Sequence, residues 1–286
     1  MEYFRFLSAF FIYAFVSFAQ TTPQDITIDR GGILLKGKIY QASGETNFTT
    51  VIILQGFPGN EIDVLGLGNL LSLRGINVLT FNYSGTYKSQ GELSWDNSQL
   101  DIQAAINFVH HPENVIKYKI DTTHIYLGGY SYGGGMALSY TASHPEIKEV
   151  FSIAGNDHGE FLREYLGNPV YRKTIDEMFE DVAVPKGQVR FKTGTQPKDF
   201  IEKGIESLSP IYDLRKCAPQ LASKNILLIC GWNDNMVSIE KIILPLYRSL
   251  QNEKAQDVKI ISFQDNHTFK NNREEVARTI FDWLNF

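Results

Sequence analysis

The sequence predicts an α/β fold built on a mainly parallel, doubly wound sheet. Runs of apolar and β-branched residues, such as "TTVIILQG" (49–56) and "INVLTFNY" (76–83), have the length of strands and the composition of strands covered on both faces. Helical patterns separate these runs along the chain. Because strands that alternate with helices are joined by crossover connections, neighbouring strands are expected to run parallel. The length of 286 residues suits one large domain of this class.

The first predicted strand, residues 32–42, alternates apolar and polar residues and is expected at an edge of the sheet. In the first predicted helix, residues 94–109, apolar residues at four-residue spacing predict the face turned to the core. They are Leu100, Ala104 and Phe108, and Ile102, Ala105 and Ile106 widen this face. The other predicted strands are 49–56, 76–83, 124–129, 149–155, 225–231 and 258–263, and the other predicted helices are 132–144, 239–251 and 273–283.

Residues 156–223 interrupt this alternation and are predicted to form a helical lid inserted between two central strands. The segment is polar, contains five prolines and has no strong strand pattern. Long segments outside the core are commonly functional. Its aromatic side chains have two interpretations, the lining of an acyl pocket or the packing of the lid onto the sheet; they are Phe161, Tyr165, Tyr171, Phe179, Phe191 and Phe200.

Residues 1–19 are predicted to be a secretory signal peptide. Arg5 precedes an apolar run that ends at Phe18, and Ser17 and Ala19 form a small-x-small cleavage pattern. A retained membrane anchor is the alternative, but the run is shorter than the roughly 20 apolar residues that a spanning helix needs. The prediction is a secreted or periplasmic protein whose domain is residues 20–286, with no stable membrane insertion after cleavage.

Composition narrows the possible partners. The formal net charge is −5, and no run of lysine or arginine suggests a surface for nucleic acid, so no nucleic-acid partner is expected. The sequence shows no metal-ligand cluster and no cofactor fingerprint, so neither a metal nor a cofactor is expected. Cys217 and Cys230 can pair in an exported protein, whereas the apolar run "NILLIC" that ends at Cys230 is typical of a buried free thiol.

The stretch "GGYSYGGG" (128–135) places Ser131 between a predicted strand and a predicted helix. Gly129 and Gly133 flank the serine at two residues on either side, which is the Gly-x-Ser-x-Gly pattern of a nucleophile elbow. A tight strand-to-helix turn strains its apex and needs small neighbours. A phosphate-binding turn is the alternative, but the lysine and Ser/Thr of a P-loop do not follow these glycines. Ser131 is therefore the candidate nucleophile.

A serine nucleophile needs a base and an orienting acid, which are expected in the chain order serine, acid, histidine. Asp234 follows the predicted strand 225–231, and His267 follows the predicted strand 258–263. Both positions lie at the edge of the sheet where the elbow is expected. Asp157 and Asp265 are the rival acids, because each also follows a predicted strand.

The oxyanion of such a reaction needs two backbone amides. The residue after the nucleophile, Tyr132, supplies one. The other is expected from the loop "QGFPGN" (55–60), where Pro58 has no amide hydrogen and Phe57 is the candidate donor.

With these residues in place, the chain resembles the α/β-hydrolase superfamily from about Gly32 to its C-terminus, and it looks closest to the prolyl oligopeptidase catalytic domain and dienelactone-hydrolase-like esterases. "QGFPGN" looks like the His-Gly-x-Pro-Gly loop of that family, and "NYSGTYKSQGEL" looks like its Tyr-Arg-Gly loop. "GWNDNMV" and "DNHTF" look like its acid and histidine loops. Gln55 stands where the family usually has histidine. Ser84 stands where it usually has arginine, so a cation that often orders the loops near the site is expected to be missing.

The resemblance implies an α/β-hydrolase fold and a serine hydrolase. Ester cleavage through an acyl-enzyme on Ser131 is the leading hypothesis, with a small-molecule ester or a short peptide as the substrate. Peptide hydrolysis of the prolyl oligopeptidase kind uses the same triad and remains an alternative. Thioester hydrolysis, acyl transfer and a non-catalytic binding module also remain open.

Overall fold

The computed structural model describes residues 22–60, 63–180, 188–191, 200–201 and 210–285. Within these residues the chain forms one eight-stranded sheet. The predicted signal peptide, residues 1–19, lies outside the described residues. The strands are β1 Gln24–Arg30, β2 Ile33–Tyr40, β3 Phe48–Leu54, β4 Asn77–Phe81, β5 Ile120–Tyr130, β6 Glu149–Ile153, β7 Asn225–Gly231 and β8 Val258–Phe263.

The strand order is β1-β2-β4-β3-β5-β6-β7-β8. The pairs β1/β2 and β2/β4 are antiparallel, whereas every pair from β4 to β8 is parallel, which confirms the mainly parallel sheet. After β3 the chain goes to one side to form β4 and returns to the other side to form β5. A reversal of this kind leaves a crevice at the carboxyl ends of the central strands, where α/β proteins bind ligands.

Helices connect the parallel strands. The helix that follows the elbow, Tyr132–Ser143, packs against β5 and β6, close to the centre of the sheet. Among the described residues, no helix is both long and apolar enough to span a membrane. The helices are α1 Leu67–Ser72, α2 Trp95–His110, α3 Pro112–Tyr118, α4 Tyr132–Ser143, α5 His158–Gly167, α6 Pro169–Met178, α7 Ala218–Leu221, α8 Leu244–Asn252 and α9 Arg273–Leu284, and a π-helical segment, Ile239–Ile243, precedes α8.

One edge of the sheet is β1, a strand that the sequence pattern did not indicate. Strand β2 was expected at the edge but is paired on both sides, with β1 and β4. In β1 only Ile26 and Ile28 are buried apolar residues, and polar or charged side chains dominate "QDITIDR". A seven-residue strand with two buried side chains has too weak an alternation to stand out.

Helix α2 begins after Ser94, whose hydroxyl accepts a hydrogen bond from the Asn97 amide at 3.0 Å and caps the helix. The predicted core face of this helix was wrong in part, because Leu100 is 53% exposed. The buried face contains the predicted Ile102, Ala104 and Ala105 and also includes two polar residues with partners, Ser98 and Asp101. The predicted core face is therefore right at Ile102, Ala104 and Ala105 and wrong at Leu100, because apolar residues alone do not reveal the buried polar positions.

The two cysteines are buried and unpaired. Burial raises the pKa of the Cys217 thiol to about 12 and that of the Cys230 thiol to about 11. Each thiol is therefore protonated at neutral pH and acts as a small packing group, as expected for Cys230 at the end of β7.

Candidate active site

Ser131 occupies the turn between β5 and α4 with φ 54° and ψ −118°. A non-glycine residue rarely adopts a positive φ, and such strain persists only where the surroundings fix it. Hydrogen bonds do so here. The Ser131 amide donates to the Ile153 carbonyl at 2.9 Å, and the Ser131 carbonyl accepts from the amides of Gly135 and Asn156 at 3.2 and 3.0 Å.

The flanking glycines are required because backbone segments approach them closely. A Cβ at Gly133 would lie 2.5 Å from the carbonyl oxygens of Leu54 and Gln55, and a Cβ at Gly129 would collide with the Gly133 carbonyl. Real Cβ atoms do not tolerate such distances. The glycine pattern therefore lets strand β3, the end of β5 and the start of α4 meet at the serine.

The structure brings the three predicted residues of the triad together. His267 Nε2 lies 2.9 Å from Ser131 Oγ, and His267 Nδ1 lies 2.7 Å from Asp234 Oδ2. Asp234 is 4% exposed, and its Oδ1 accepts hydrogen bonds from the amides of Met236 and Val237 at 2.9 Å each. The carboxylate is thus fixed by two amides on one oxygen and by the imidazole on the other.

The side chains of the two rival acids have other partners. Asp157 caps α5, where its Oδ1 accepts from the Gly159 amide at 3.0 Å and from the Leu214 amide at 3.2 Å. Asp265 binds its own loop, accepting from the amides of Asn266 and Asn271 at 2.9 and 2.8 Å. Both carboxylates hold local backbone.

The two tyrosines beside Ser131 have different roles. The Tyr130 hydroxyl donates to the backbone carbonyl of His267 at 3.0 Å, and the two rings lie 5.0 Å apart. Tyr132 turns into the core, where its hydroxyl lies 3.0 Å from Ser98 Oγ and its ring packs against Trp95 at 5.5 Å. The sequence pattern marked neither contact.

The predicted oxyanion donors, the amides of Phe57 and Tyr132, flank the serine. In the described part of the chain, neither amide donates to a backbone or side-chain acceptor. The Phe57 ring contacts the Tyr132 ring edge-on, with ring centroids 6.4 Å apart, so the two loops meet at this point. Two free amides next to a serine hydroxyl are what a developing oxyanion requires.

A cavity of about 290 Å³ opens above Ser131 and His267. Its described lining is mostly aromatic and aliphatic, with Asn156 as a polar exception. Of the six aromatic residues of the inserted segment, Phe161, Tyr171, Phe179 and Phe200 line the cavity, so both interpretations of these residues apply. Phe179 stacks on Phe57 at 4.8 Å, and Phe200 stacks on Trp95 at 5.3 Å. The same rings line the cavity and pack the segment onto the domain.

The departure at Gln55 is compensated locally. Its side-chain amide donates to Thr80 Oγ1 at 3.1 Å and to the Asn60 carbonyl at 3.3 Å. These two bonds connect the loop after β3 to strand β4 and to the loop's own far end. The Gln55 amide thus holds this loop in place.

The expected loss of a cation at Ser84 was wrong, because Arg30 at the end of β1 supplies one. Arg30 Nη2 donates to Ser84 Oγ at 3.0 Å, and Arg30 Nε lies 2.7 Å from Asp101 Oδ1. Asp101 also accepts from the Ser84 amide at 2.7 Å. Burial raises the pKa of Asp101 to about 6, and the Ser84 hydrogen bonds and the Arg30 charge oppose that rise.

Comparison with known proteins identifies the family to which the chain belongs. Residues 49–196, just over half of the chain, match the family model described as the alpha/beta hydrolase fold. The chain therefore belongs to the alpha/beta hydrolase fold family, as the motifs predicted.

Individual relatives are distant. Cutinase 1 of Thermobifida cellulosilytica is 25% identical over 118 residues, which span 41% of this chain and 43% of the cutinase. The Pyrococcus furiosus esterase Pf2001 is 17% identical with a TM-score of 0.65, covering 93% of this chain and 91% of the esterase. An acylaminoacyl peptidase, solved with Z-Gly-Gly-Phe-chloromethyl ketone, is 16% identical with a TM-score of 0.63, covering 92% of this chain and 41% of the peptidase. At these identities the two solved structures establish the shared fold.

Proposed function

We propose that this protein is an exported serine hydrolase that cleaves a carboxylic ester through an acyl-enzyme on Ser131. The observation that carries the proposal is the continuous hydrogen-bonded chain from Ser131 Oγ through His267 to Asp234 at the base of an apolar cavity. Family membership supports hydrolysis in general.

In the first half of the reaction, Ser131 Oγ attacks the ester carbonyl carbon while His267 Nε2 takes the hydroxyl proton. The carbonyl oxygen becomes an oxyanion, and the amides of Phe57 and Tyr132 are its proposed donors. The tetrahedral intermediate then collapses. The bond to the alcohol oxygen breaks, and the alcohol leaves with the proton from His267.

In the second half, water attacks the acyl-enzyme and gives a proton to His267 Nε2. The bond to Ser131 Oγ then breaks, the serine recovers its proton, and the carboxylic acid leaves. Asp234 holds the imidazole with Nδ1 protonated and Nε2 free to accept, and it stabilises the imidazolium in both halves.

An apolar acyl group fits the cavity above the serine. The described lining contains neither carboxylate nor lysine or arginine side chains, which favours an uncharged group over a peptide terminus. A volume of about 290 Å³ lies at the small end of the range for ligand pockets, roughly 300–1,000 Å³. An aryl acyl group or an acyl chain of six to eight carbons, roughly, is therefore the proposed substrate half.

We propose further that residues 156–223 act as the lid. Helices α5 and α6 contribute Phe161, Tyr171 and Ile175 to the cavity wall, so any substrate on the serine would touch this segment. Such lids commonly exclude water and select the substrate.

The exported state rests on the sequence pattern of residues 1–19. Sequencing the N-terminus of protein made in its native host tests it. A chain that begins at Gln20 supports export with cleavage, whereas an intact Met1 in the membrane fraction supports an anchor.

The activity is tested by labelling with a fluorophosphonate probe. Wild-type protein is expected to be labelled at Ser131, and Ser131→Ala is expected to be neither labelled nor active. A panel of p-nitrophenyl esters and aminoacyl-naphthylamides then separates esterase from peptidase. Turnover by Ser131→Ala close to that of wild type would refute the assignment, and a preference for the naphthylamides would replace esterase by peptidase.

A further inference from the structure

A second cleft, of about 480 Å³, lies next to the apolar cavity, and its lining contains no described residue of the inserted segment. Phe57 and Tyr130 line both spaces. Gly56, another wall residue of this cleft, is so near the nucleophile that a Cβ there would lie 3.3 Å from Ser131 Cβ. The candidate active site therefore has two neighbouring spaces, separated by Phe57 and Tyr130.

The two spaces differ in chemistry. The described lining of the cavity above the serine has no charged Asp, Glu, Lys or Arg side chain, whereas the second cleft combines apolar residues such as Val64 and Leu65 with a set of polar and charged side chains, Gln55, Asn60, Asn69, Asp63 and Arg273. An ester likewise has two halves, the acyl group and the alcohol. An apolar acyl half in the first space directs the alcohol half towards another space next to the serine.

Arg273 is the cation of this cleft, and its charge has no ion-pair partner within 4.0 Å among the described residues. Its Nη2 donates to the Thr268 carbonyl at 3.5 Å, and its buried Nε has no partner there. The remaining guanidinium donors are available. A guanidinium matches the two oxygens of a carboxylate or phosphate with parallel hydrogen bonds.

Asp63 shares the cleft but is directed elsewhere. Its Oδ1 accepts from the amides of Val64 and Gly68 at 2.7 and 2.9 Å, and its Oδ2 accepts from the Asn69 amide at 3.4 Å. The carboxylate thus holds the start of α1. The positive charge of Arg273 acts on Asp63, but the two groups form no ion pair within 4.0 Å.

We propose that the second cleft binds the alcohol half of the substrate and that Arg273 selects an alcohol that carries a negative charge. The substrate class is then an ester of an apolar acid with a hydroxy acid or a phosphorylated alcohol. This inference rests on the proposed ester hydrolysis at Ser131. Arg273 acts as a specificity-determining residue for the leaving group.

The test compares two hexanoyl esters that differ only in charge, those of 3-hydroxybenzoate and 3-hydroxybenzamide. Each kcat/KM is divided by the ester's own rate of hydroxide-catalysed hydrolysis, which removes the difference in leaving-group reactivity. Wild-type protein is expected to favour the carboxylate ester by about tenfold or more, the size of a hydrogen bond to a charged group. Arg273→Gln is expected to bring that ratio close to one, and added salt is expected to lower it in the wild type.

Arg278→Gln is the matched control, because Arg278 is an exposed residue on the same helix and its loss changes the net charge equally. This variant is expected to keep the wild-type ratio. A measurement on wild-type protein alone covers the case in which Arg273→Gln does not fold. In that measurement, 3-hydroxybenzoate is expected to inhibit ester hydrolysis by the wild-type protein more strongly than 3-hydroxybenzamide does.

The outcomes separate the two proposals. If both proteins hydrolyse the two esters and the corrected kcat/KM ratio is the same in wild-type protein and in Arg273→Gln, the inference is overturned. The proposal of an ester hydrolase would still stand. Equal inhibition of the wild-type protein by the two hydroxy compounds would also overturn it. If wild-type protein hydrolyses no ester and Ser131 takes no fluorophosphonate label, the proposed function itself fails, and the inference fails with it.

Discussion

The Tyr130 hydroxyl donates to the backbone carbonyl of His267 at 3.0 Å. The residue directly before the candidate nucleophile thus holds the main chain of the candidate base. These two residues are 137 positions apart in sequence, and their rings lie 5.0 Å apart. Because burial raises the pKa of Tyr130, its phenol remains a donor across the working pH range. The distance between Ser131 Oγ and His267 Nε2 is therefore set partly by Tyr130.

Tyr130→Phe is expected to lower kcat several-fold, up to about tenfold, with a smaller change in KM for a short ester. The reason is that one hydrogen bond contributes about 0.5–1.5 kcal/mol, and 1.4 kcal/mol corresponds to a factor of ten in rate. Steady-state kinetics on p-nitrophenyl butyrate measures both constants. Tyr126→Phe, the same change four residues earlier on β5, is the control and is expected to leave both constants near wild type. Equal kinetics for the two variants would show that Tyr130 does not position the base.

Asp234→Asn is expected to cost up to about 10⁴ in kcat, because an amide in place of the carboxylate favours the wrong tautomer of the histidine. Asp157→Asn is the matched comparison and is expected to cost far less, since Asp157 holds the start of α5 and the Leu214 amide. The loss in each variant is measured as kcat at a saturating concentration of ester. A larger loss in Asp157→Asn would assign the acid to the loop after β6.

Ser131→Gly is expected to be about 1 kcal/mol more stable than Ser131→Ala. The positive φ of 54° strains any residue with a Cβ by about 1–3 kcal/mol, whereas glycine adopts it freely and loses somewhat more entropy on folding. Denaturant unfolding measures the difference, and neither variant has the nucleophile. At Ser143, an exposed position at the end of α4, the order is expected to reverse because glycine is a poor helix former. An alanine variant at least as stable as the glycine variant at position 131 would contradict the strained turn.

His158 is expected to make the protein acid-sensitive. The residue is fully buried against the Trp95 and Tyr132 rings, and burial lowers its pKa to about 3 from the usual 6.5. A lowered pKa of the folded state means that the unfolded state binds the proton first. Stability is therefore complete above about pH 6.5 and falls as the pH drops towards 3.

Between pH 7 and pH 4 this loss is expected to be on the order of 3 kcal/mol, at 1.36 kcal/mol per pKa unit. His158→Phe keeps an aromatic ring in the same place. The loss of its unfolding free energy between pH 7 and pH 4 is expected to be smaller than that of the wild type by this amount, as measured by urea unfolding at the two pH values. His144→Phe, at the half-buried C-terminal end of α4, is the control and is expected to keep the wild-type loss. An identical pH dependence in His158→Phe and wild-type protein would exclude His158 as the cause.

Met178→Ala is expected to shift the acyl preference towards longer chains. Met178 lies at the end of α6 and lines the cavity above the serine, so truncation enlarges that space. The readout is the ratio of kcat/KM on p-nitrophenyl octanoate to that on the butyrate. Leu166→Ala, at an exposed position on α5, is expected to leave the ratio unchanged. A ratio unaffected by Met178→Ala would show that α6 does not select the acyl group.

Most of the fold and the three-residue chain at the site could be predicted because their signals are local. Solid apolar runs mark buried strands, and the glycines around Ser131 mark a turn that needs close backbone contact. Asp234 and His267 could be placed because parallel strands end at a common edge of the sheet, so residues after β7 and β8 come near the end of β5.

What escaped prediction depends on contacts between distant segments. Nothing near Tyr130 in the sequence indicates that its hydroxyl reaches His267. Strand β1 is defined by pairing with β2 more than by its own composition, and the core face of α2 includes Ser98 and Asp101 because each has a buried polar partner. The charge of Arg273 beside the site likewise depends on where α9 packs.

Arg30 and Ser84 together show how a lost charge is replaced from elsewhere in the chain. The guanidinium that the family usually carries after the tyrosine of the second loop comes here from the first strand, across 54 positions of sequence. A residue-by-residue comparison would register only the loss at position 84. The two positions act together in the structure, because a change at either one removes the hydrogen bond between the Arg30 guanidinium and Ser84 Oγ. The outermost strand thereby becomes indispensable to the interior, since it contributes a cation to the buried Asp101 as well as an edge to the sheet.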